Sequence, residues 1–533
     1  MPSAARQPEK KSVDAVVVGA GFAGLYMVQR LREAGLAVQG FEAGNDVGGT
    51  WYWNRYPGAR CDIPSLLYSY TWSDDVRLNW RWSEKYATQP EILSYAEYVA
   101  DKYDLRRDFL FGTKVVSTLY DEASKRWTVT TDAGDVVDAR YVVMGTGCLS
   151  VPRGADLPGA ETFKGETYIT GLWPHEGVDF TGKRVAVIGT GSSAIQSLPL
   201  IAEQAKQVTV FQRTPNFSLP AVNTPLTAEE VELFQAAFPE FIKAVKAGEP
   251  GIPMPPADWT PTDEELEPLL ENLWSGWGLV ACAQVPNLMK DERINAAASD
   301  YVRGKIREIV KDPALAEKLI PRDFPLASKR ACVDTNYFET YNRDNVSLVD
   351  LNETTIEGIT PEGVKTSGGL VEVDAIVYAL GFDAMTGALN RIDIRGRGGK
   401  ALKDEWANGP KTYLGLMVAG FPNLFTVTGP GSPSVLSNML MSIEFHVDWI
   451  ADAIAFAEQR QARRIEATVE AQEAWVAHVN EEADKTLYPR ANSWYIGANV
   501  PGKPRVFMPY VGEGYKVRID EVAARGYEGF EVA

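Results

Sequence analysis

The sequence predicts an α/β protein with two dinucleotide-binding, Rossmann-like domains, the second of which carries an all-helical insertion. Two units of strand, glycine-rich turn and helix begin at Val13 and at Arg184, and they predict the two domains. Between residues 221 and 324 the pattern changes to helices without a nucleotide-binding signal, which predicts the insertion. A chain of 533 residues is long enough for two or three domains and a large core.

The first unit has the features of a site for FAD or NAD. It opens with the apolar run Val16–Val18, which is typical of a buried parallel strand. Gly19, Gly21 and Gly24 follow as G-x-G-x-x-G, and a helical stretch comes next. These glycines let the backbone turn sharply and approach a pyrophosphate at the helix N-terminus. The next strand ends in Glu42, 18 residues beyond Gly24, where an acid suits a ribose 2′-hydroxyl.

The second unit predicts a site for NADP. The segment 184–194 has the pattern of a strand, a G-x-G-x-x-A turn and a helix start. The following strand ends near Arg213 instead of an acid. A guanidinium can bind a 2′-phosphate bidentately, whereas a carboxylate would repel it. Two such sites in one chain indicate a flavin that is reduced by NADPH.

The acidic composition and the few cysteines restrict the partners and the compartment. Lys and Arg number 53 and Asp and Glu 71, so the net charge of −18 argues against nucleic acid or an anionic membrane as a partner. The four cysteines form no C-x-x-C pair and the three histidines form no metal-ligand pattern, so we expect a reduced cytoplasmic setting and no metal. No apolar run is long enough to span a bilayer. We expect small-molecule partners and a monomer or weak oligomer.

Two further strands that end in glycine mark the passages between the domains. They lie at residues 139–147 and 373–383. We assign residues 12–150 and 382–533 to an FAD-binding domain, residues 151–220 and 331–381 to an NADP-binding domain, and residues 221–330 to the helical insertion.

Three helix starts are predicted within the insertion. They are the capping boxes Thr227–Glu230 and Thr262–Glu265 and the N-cap Asp312, which precedes a proline. Outside the insertion, residues 44–81 look loop-like and are rich in Trp, Tyr, Gly and Pro. Because this segment directly follows the first nucleotide-binding unit, we interpret it as the wall of a flavin pocket, with simple aromatic packing as the alternative.

The segment Phe163–Pro174 resembles the signature F-x-G-x-x-x-H-x-x-x-W-P of the class B flavoprotein Baeyer–Villiger monooxygenases. It lies just before the second glycine-rich turn, as in that family, and further matching stretches cover almost the whole chain. Members that oxidise phenylacetone are the most similar. One position departs from the signature, because Ile169 stands where the family has histidine. The resemblance implies that this position acts in domain motion and in the coupling of NADPH use to oxygenation. An isoleucine neither titrates nor donates a hydrogen bond, so we expect the departure to affect coupling more than the reaction class.

The resemblance implies that FAD, reduced by NADPH, reacts with O₂ to a C4a-peroxide that converts a ketone into an ester or lactone. It implies Arg330 as the catalytic arginine, because a permanently charged group can stabilise the anionic peroxide and the later oxyanion. Asp62 would orient that arginine. The implied FAD contacts are Gly19, Gly21, Phe22, Ala23, Gly24, Glu42, Thr50, Trp51, Asp62, Tyr68 and Met439. The implied NADP contacts are Gly189, Thr190, Gly191, Ser192, Ser193, Ala194, Ile195, Gln196, Arg213, Thr214, Lys329, Arg330 and Trp494.

The substrate and the exact oxygenation are less closely specified. The implied lining residues of the substrate pocket are Leu149, Ser434, Val435, Leu436 and Phe507. This set suits aryl or open-chain ketones, with cyclic or steroid ketones as the alternative substrates. Flavin-dependent oxygenation at sulfur or nitrogen and an uncoupled NADPH oxidase are the alternative reactions. A disulfide reductase has the same two folds, but it requires a C-x-x-x-x-C pair after the first unit, where Cys61 stands alone.

Overall fold

Two β-sheets, each with a glycine-rich turn at the end of a parallel strand, form the frame of the protein. The structure is a computed structural model and describes residues 10–154, 156–256 and 259–533. Its strands, in chain order, are β1 (Lys10–Val18), β2 (Val38–Phe41), β3 (Phe109–Leu110), β4 (Val115–Asp121), β5 (Arg126–Thr131), β6 (Val136–Met144), β7 (Glu166–Ile169), β8 (Arg184–Ile188), β9 (Gln207–Gln212), β10 (Ser218–Pro220), β11 (Cys332–Asp334), β12 (Val346–Asp350), β13 (Ile356–Thr360), β14 (Gly363–Thr366), β15 (Gly369–Glu372), β16 (Ala375–Tyr378), β17 (Asp393–Arg395), β18 (Leu424–Thr426), β19 (Ile465–Ala467) and β20 (Phe530–Val532).

The helices cover the sheets and connect their strands. In chain order they are α1 (Phe22–Glu33), α2 (Thr50–Trp53), α3 (Asp74–Asn79), α4 (Gln89–Lys102), α5 (Ser192–Gln204), α6 (Ala228–Lys246), α7 (Asp263–Ser275), α8 (Gly278–Ala283), α9 (Glu292–Ile309), α10 (Pro313–Leu319), α11 (Tyr337–Thr340), α12 (Gly387–Asn390), α13 (Leu402–Glu405), α14 (Met439–Gln459), α15 (Val469–Asp484) and α16 (Tyr515–Ala524). Among the described residues, no helix combines the length and the apolar character that crossing a membrane requires.

The first sheet contains the predicted FAD-binding unit. Its order is β17-β4-β5-β6-β1-β2-β3, and β18 joins it beside β6. Strand β1 pairs in parallel with β2 and with β6, and Val16 and Val17 near its carboxyl end are fully buried. Helix α1 follows the turn and packs on this sheet, so the predicted order of strand, turn and helix is confirmed.

Strand β6 corrects one expectation. The sequence predicts a strand at residues 139–147, but the structure has a strand that begins three residues earlier, over Val136–Met144. One edge pairs with β1 along the length of the strand. The other edge pairs first with β5, antiparallel, and then with β18, in parallel. The pattern of apolar residues along a strand indicates only which face is buried. It cannot indicate that the strand changes its pairing partner midway.

The second sheet contains the predicted NADP-binding unit. Its order is β12-β9-β8-β16-β7, and all neighbouring strands are parallel. Strand β8 leads through the second turn into α5, for which Gly191 is the N-cap. Arg213 follows the last residue of β9, as the sequence predicts.

The described part of the predicted helical insertion contains helices joined by loops. Helices α6 to α10 lie there, with no strand among the described residues between β10 and β11. Thr227 and Thr262 each accept the N–H of a glutamate three residues later, which accepts the threonine N–H in return. Asp312 caps α10. The three predicted helix starts are therefore confirmed.

The insertion does not pack as one unit. Helices α7 to α10 contribute side chains to the apolar core beneath the second sheet. Helix α6 instead shares an apolar cluster with side chains from the predicted FAD-binding domain, namely Leu67, Met441 and Phe445. The segment before α6 also contacts the predicted FAD-binding domain, because the Lys85 N–H donates to the Thr224 carbonyl at 3.0 Å. The insertion therefore contacts both domains, although the sequence assigns it to the second; the domain bounds themselves stay predictions.

Candidate functional site

One large cavity joins the two glycine-rich turns. It lies at the carboxyl ends of β1 and β8, and its wall contains Gly19 and Gly21 as well as Gly189 and Gly191. Open α/β sheets bind ligands at this edge. The cavity volume of about 1200 Å³ exceeds that of a usual pocket for one small ligand, which is roughly 300–1,000 Å³. The site therefore has the size for more than one small ligand.

The first turn has the close packing that its glycines require. Gly19 has φ of +103°, and a Cβ atom there would lie 2.5 Å from the carbonyl oxygen of Gly145. A Cβ on Gly24 would lie 1.7 Å from the carbonyl oxygen of Gly19, so α1 sits directly on the turn. A Cβ on Gly49 would lie 2.7 Å from the Cα of Gly21, so the two backbones meet with no room for side chains. The bare backbone at the start of α1 fits a pyrophosphate.

Glu42 is held against this turn. One carboxylate oxygen accepts the N–H of Ala20 and the other accepts the N–H of Gly44, both at 2.7 Å. Burial raises the pKa of Glu42, while these backbone donors oppose that rise. A carboxylate has about four acceptor positions, so capacity remains for a ribose hydroxyl. The residues around the first turn therefore fit FAD.

Two cations lie near the second turn. Arg213 and Lys329 both line the cavity, and Asp323 is the nearby carboxylate that acts on the charge of Lys329. Burial, together with the nearby charge of Arg213, lowers the pKa of Lys329. A Cβ on Gly191 would meet no atom within 4 Å, so the N-terminus of α5 faces open space. Two cations beside an open helix N-terminus fit the phosphates of NADP.

Most residues that the sequence assigns to the cofactors line this cavity. On the FAD side they are Gly19, Gly21, Phe22, Ala23, Glu42, Thr50, Trp51, Asp62, Tyr68 and Met439. On the NADP side they are Gly189, Thr190, Gly191, Ser192, Ser193, Gln196, Arg213, Thr214, Lys329, Arg330 and Trp494. Gly24, Ala194 and Ile195 lie behind the wall, in the packing of α1 and α5. The roles assigned to all of these residues stay predictions.

Arg330 and Asp62 form a bidentate pair between the two halves of the cavity. The Nε–H and an Nη2–H of Arg330 donate to the two carboxylate oxygens of Asp62 at 2.6 and 2.8 Å. A third N–H donates to the carbonyl oxygen of Val435 at 2.5 Å. This backbone contact fixes the plane of the guanidinium, and nothing in the sequence indicates it.

The environment of Arg330 keeps the guanidinium charged. Burial alone lowers the pKa of this group, but the carboxylate of Asp62 outweighs burial and raises the pKa. The buried ring of Tyr495 lies close to the same guanidinium, which counteracts part of the rise that burial causes in the pKa of the phenol. A fixed cation thus faces the cavity, where it can stabilise negative charge on a ligand.

An apolar cluster closes the cavity beside Arg330. Val435 and Phe507 belong to it together with Cys148, Met385 and Tyr495, and Leu149 and Leu436 pack against it. Ser434 is fully buried and contacts the Met385 sulfur. Of the five predicted pocket residues, Leu149 and Val435 line the cavity itself, whereas Ser434, Leu436 and Phe507 are not part of its lining.

The cysteines near this site have the features of packing residues. All four are free and buried. Burial raises the pKa of the Cys148 thiol to about 11 and that of the Cys332 thiol to about 12. A nucleophilic or redox-active cysteine requires a lowered pKa. The site therefore lacks the reactive cysteine pair of a disulfide reductase within the described residues.

Ile169 lies at the carboxyl end of β7, where the signature of the family has histidine. It pairs in register with Tyr378 and packs with Leu380 against an apolar cluster of the second sheet. The side chain is half-buried among apolar groups, so it makes no polar contact toward the cavity.

The side chain of Gln196 makes contacts that the sequence does not indicate. Its role at the pyrophosphate stays a prediction, and its side-chain oxygen accepts the hydroxyl of Tyr56 at 2.8 Å. Its amide nitrogen donates to the Arg60 carbonyl at 3.2 Å. Both ends of the side chain are therefore engaged by the predicted flavin wall. A tyrosine two residues before a glycine gives no sequence signal for such a contact.

Comparisons with known proteins agree with this geometry. A family model described as pyridine nucleotide-disulphide oxidoreductase matches residues 16–244. The chain is 43% identical to a Baeyer–Villiger monooxygenase of Pseudooceanicola batsensis, covering 96% of this chain and 95% of the relative. It is 41% identical to an acetone monooxygenase (methyl acetate-forming) of Gordonia sp., with coverages of 98% and 99%. It is 40% identical to the phenazine N-monooxygenase PhzNO1 of Lysobacter antibioticus, with coverages of 98% and 97%.

Solved structures match over nearly the full length as well. An oxidised steroid monooxygenase bound to NADP is 50% identical with a TM-score of 0.93, and the match covers 98% of this chain and 99% of that one. A closed crystal structure of cyclohexanone monooxygenase is 42% identical with a TM-score of 0.95, covering 98% and 100%. Identity at this level over whole chains shows common ancestry and a common fold. This chain therefore belongs to the Baeyer–Villiger monooxygenase family of flavin-dependent oxidoreductases.

Proposed function

We propose that the protein is an NADPH- and O₂-dependent FAD monooxygenase that inserts an oxygen atom beside the carbonyl of a ketone to give an ester or lactone. The observation that carries this proposal is the Arg330–Asp62 pair, which faces a cavity shared by two nucleotide-binding turns. Similarity to ketone-oxidising relatives, such as the acetone monooxygenase, supports it.

The chain supplies placement and charge for this reaction. FAD, when bound, supplies electron transfer from NADPH and the reaction with O₂. Glu42 and the first turn would hold its ribose and pyrophosphate, while Arg213, Lys329 and the second turn would hold NADP. Arg330 stabilises the negative charge that develops on the ketone oxygen as the new bond forms. Asp62 keeps Arg330 in one orientation, so little reorganisation is needed at the moment of reaction.

The apolar cluster beside Arg330 serves to exclude water. Low dielectric strengthens the interaction between the guanidinium and a substrate oxyanion. The exclusion of water also prevents side reactions that would consume NADPH without oxygenating the substrate. Trp494 lines the same part of the cavity and would cover the nicotinamide end of NADP. Leu149 and Val435 supply the apolar wall for the substrate, which suits aryl or open-chain ketones; cyclic or steroid ketones are the alternative. We expect the enzyme to act in the cytoplasm as a monomer or weak oligomer.

Oxygenation at nitrogen or sulfur is the second candidate. Similarity to a phenazine N-monooxygenase favours it. Such a reaction needs no cation to stabilise a substrate oxyanion, so the Arg330–Asp62 pair would be dispensable for it. Ketones and heteroatom substrates therefore separate the two candidates.

The proposed function is tested by measuring three quantities in the same reaction. Purified holoenzyme is given NADPH and a panel of aryl, open-chain and cyclic ketones and one aryl sulfide, and NADPH consumption, oxygenated product and released hydrogen peroxide are recorded. We expect at least one ketone to accelerate NADPH use and to yield ester or lactone. Sulfoxide without any ester would favour the second candidate, and NADPH use that yields only hydrogen peroxide would favour an oxidase.

Arg213→Ala is expected to weaken the preference for NADPH over NADH. A charge-assisted contact to phosphate is worth enough to raise the KM for NADPH by about 10- to 100-fold. The KM for NADH should change less than about threefold, because NADH lacks the 2′-phosphate that this contact requires. Steady-state kinetics with both coenzymes measure the two values on one preparation. An equal rise in both would show that the variant disturbs the whole domain and would contradict the assignment.

A further inference from the structure

Residues 56–60 belong by sequence to the predicted FAD-binding domain, but they pack against the predicted NADP-binding domain. Tyr56 and Ala59 are buried in the apolar core beneath the second sheet. Between them, Gly58 has φ of +80°, and a Cβ atom there would lie 2.3 Å from the carbonyl oxygen of Gln196. The segment thus passes α5 at a distance that leaves no space for a side chain.

Two hydrogen bonds join this segment to α5. The hydroxyl of Tyr56 donates to the side-chain oxygen of Gln196 at 2.8 Å, and the amide of Gln196 donates to the carbonyl of Arg60 at 3.2 Å. Gln196 lies in the second turn of α5, which begins directly after Gly191 of the second glycine-rich motif. We call these contacts between residues 56–60 and Gln196 the interdomain clasp.

The other side of the segment is anchored on the predicted FAD-binding domain. The Gln89 N–H donates to the Ala59 carbonyl at 2.8 Å. The guanidinium of Arg60 pairs with Glu84 at 2.9 Å and donates to the Tyr86 carbonyl at 2.8 Å. The chain reaches Asp62 only two residues later. A short stretch that is anchored on both sides therefore connects α5 to Asp62, the partner of Arg330.

We propose that Tyr56 and Gln196 are positioning residues that hold the NADP-binding helix α5 in register with the FAD-binding domain and with Asp62. This inference rests on the proposed function and deepens it. The rate of hydride transfer from the nicotinamide to the flavin falls steeply when the two rings are misplaced by as little as about one ångström. Tyr56, Arg60 and Gln196 line the cavity as well, and the clasp acts by fixing that distance.

The test uses Tyr56→Phe, which keeps the buried ring and removes only the hydroxyl. The expected change corresponds to the free energy of one hydrogen bond. We therefore expect the anaerobic rate of FAD reduction by NADPH to fall about 3- to 10-fold. Hydrogen–deuterium exchange of the holoenzyme should rise in residues 56–62 and in the first two turns of α5, and FAD content should stay at the wild-type level. Gln196→Leu removes both hydrogen bonds, and its effect should not add to that of Tyr56→Phe.

Tyr141→Phe is the matched control. It removes a tyrosine hydrogen bond of the same length, 2.8 Å, to Glu458, within the predicted FAD-binding domain. It should alter neither the reduction rate nor exchange in α5. Unchanged reduction and unchanged exchange in Tyr56→Phe would overturn the inference, and so would additive effects of the two clasp variants. Because flavin reduction is measured without a ketone, these outcomes are independent of whether the wild-type enzyme makes an ester.

Discussion

Arg330→Ala is expected to lower the rate of ketone oxygenation by about 10²–10³-fold or more, while NADPH still reduces the flavin. The reason is that the guanidinium, held by Asp62 and by the Val435 carbonyl, is the fixed cation at the apolar end of the cavity. Alanine leaves the developing charge on the substrate oxygen without a partner in a dry site. Product formation is followed by chromatography, and flavin reduction is followed by anaerobic stopped-flow absorbance.

Two further variants define what Arg330 contributes. Arg330→Lys retains the charge but cannot make the bidentate contact to Asp62, so its rate should lie between those of the wild type and Arg330→Ala. Arg322→Ala removes an exposed arginine that pairs with Glu317 at the surface, and it should leave oxygenation unchanged. If Arg330→Ala retained wild-type ketone turnover, the proposed role of the cation would be wrong.

Gly24→Ala is expected to abolish stable FAD binding. The added Cβ would lie 1.7 Å from the carbonyl oxygen of Gly19, a distance that only a shift of α1 away from the turn can relieve. That shift moves the helix N-terminus from the position where it meets the pyrophosphate. We expect the ratio of flavin absorbance to protein absorbance in the purified variant to fall at least tenfold.

Gly304→Ala is the control for a glycine substitution as such. Gly304 lies inside α9, and a Cβ there would meet no atom within 4 Å. Alanine should raise the stability by about 0.5–1 kcal/mol, because it restricts the unfolded chain and favours the helix. Wild-type flavin content in Gly24→Ala would contradict the close packing of α1 on the first turn.

The local units of this fold follow from the sequence because each depends on neighbouring residues. The spacing of Gly19, Gly21 and Gly24, with an acid at the end of the next strand, specifies strand, turn and helix together. The same holds for the capping residues Thr227 and Thr262, whose partners are three residues away. Each of these features appears in the structure where the sequence predicts it.

Features that join distant parts of the chain were not predictable from local patterns. The change of partner along β6 depends on β18, about 280 residues later. The contact between Arg330 and the Val435 carbonyl has no sequence signal, because every residue has a backbone carbonyl whatever its side chain is. The Tyr56–Gln196 contact joins residues 140 positions apart. Sequence reasoning thus named the residues around the cavity and, through the family resemblance, the Arg330–Asp62 pair, but not the Tyr56–Gln196 contact.

The packing of α6 and of residues 56–60 limits how enzymes of this family can be recombined. Each predicted domain keeps a piece of the other buried against it, α6 on one side and Tyr56 with Ala59 on the other. A chimaera that exchanges the NADP-binding half with that of a homologue would therefore carry mismatched surfaces at both places. Crossover points that transfer residues 56–60 with α5, and α6 with α14, would keep these complementary surfaces together.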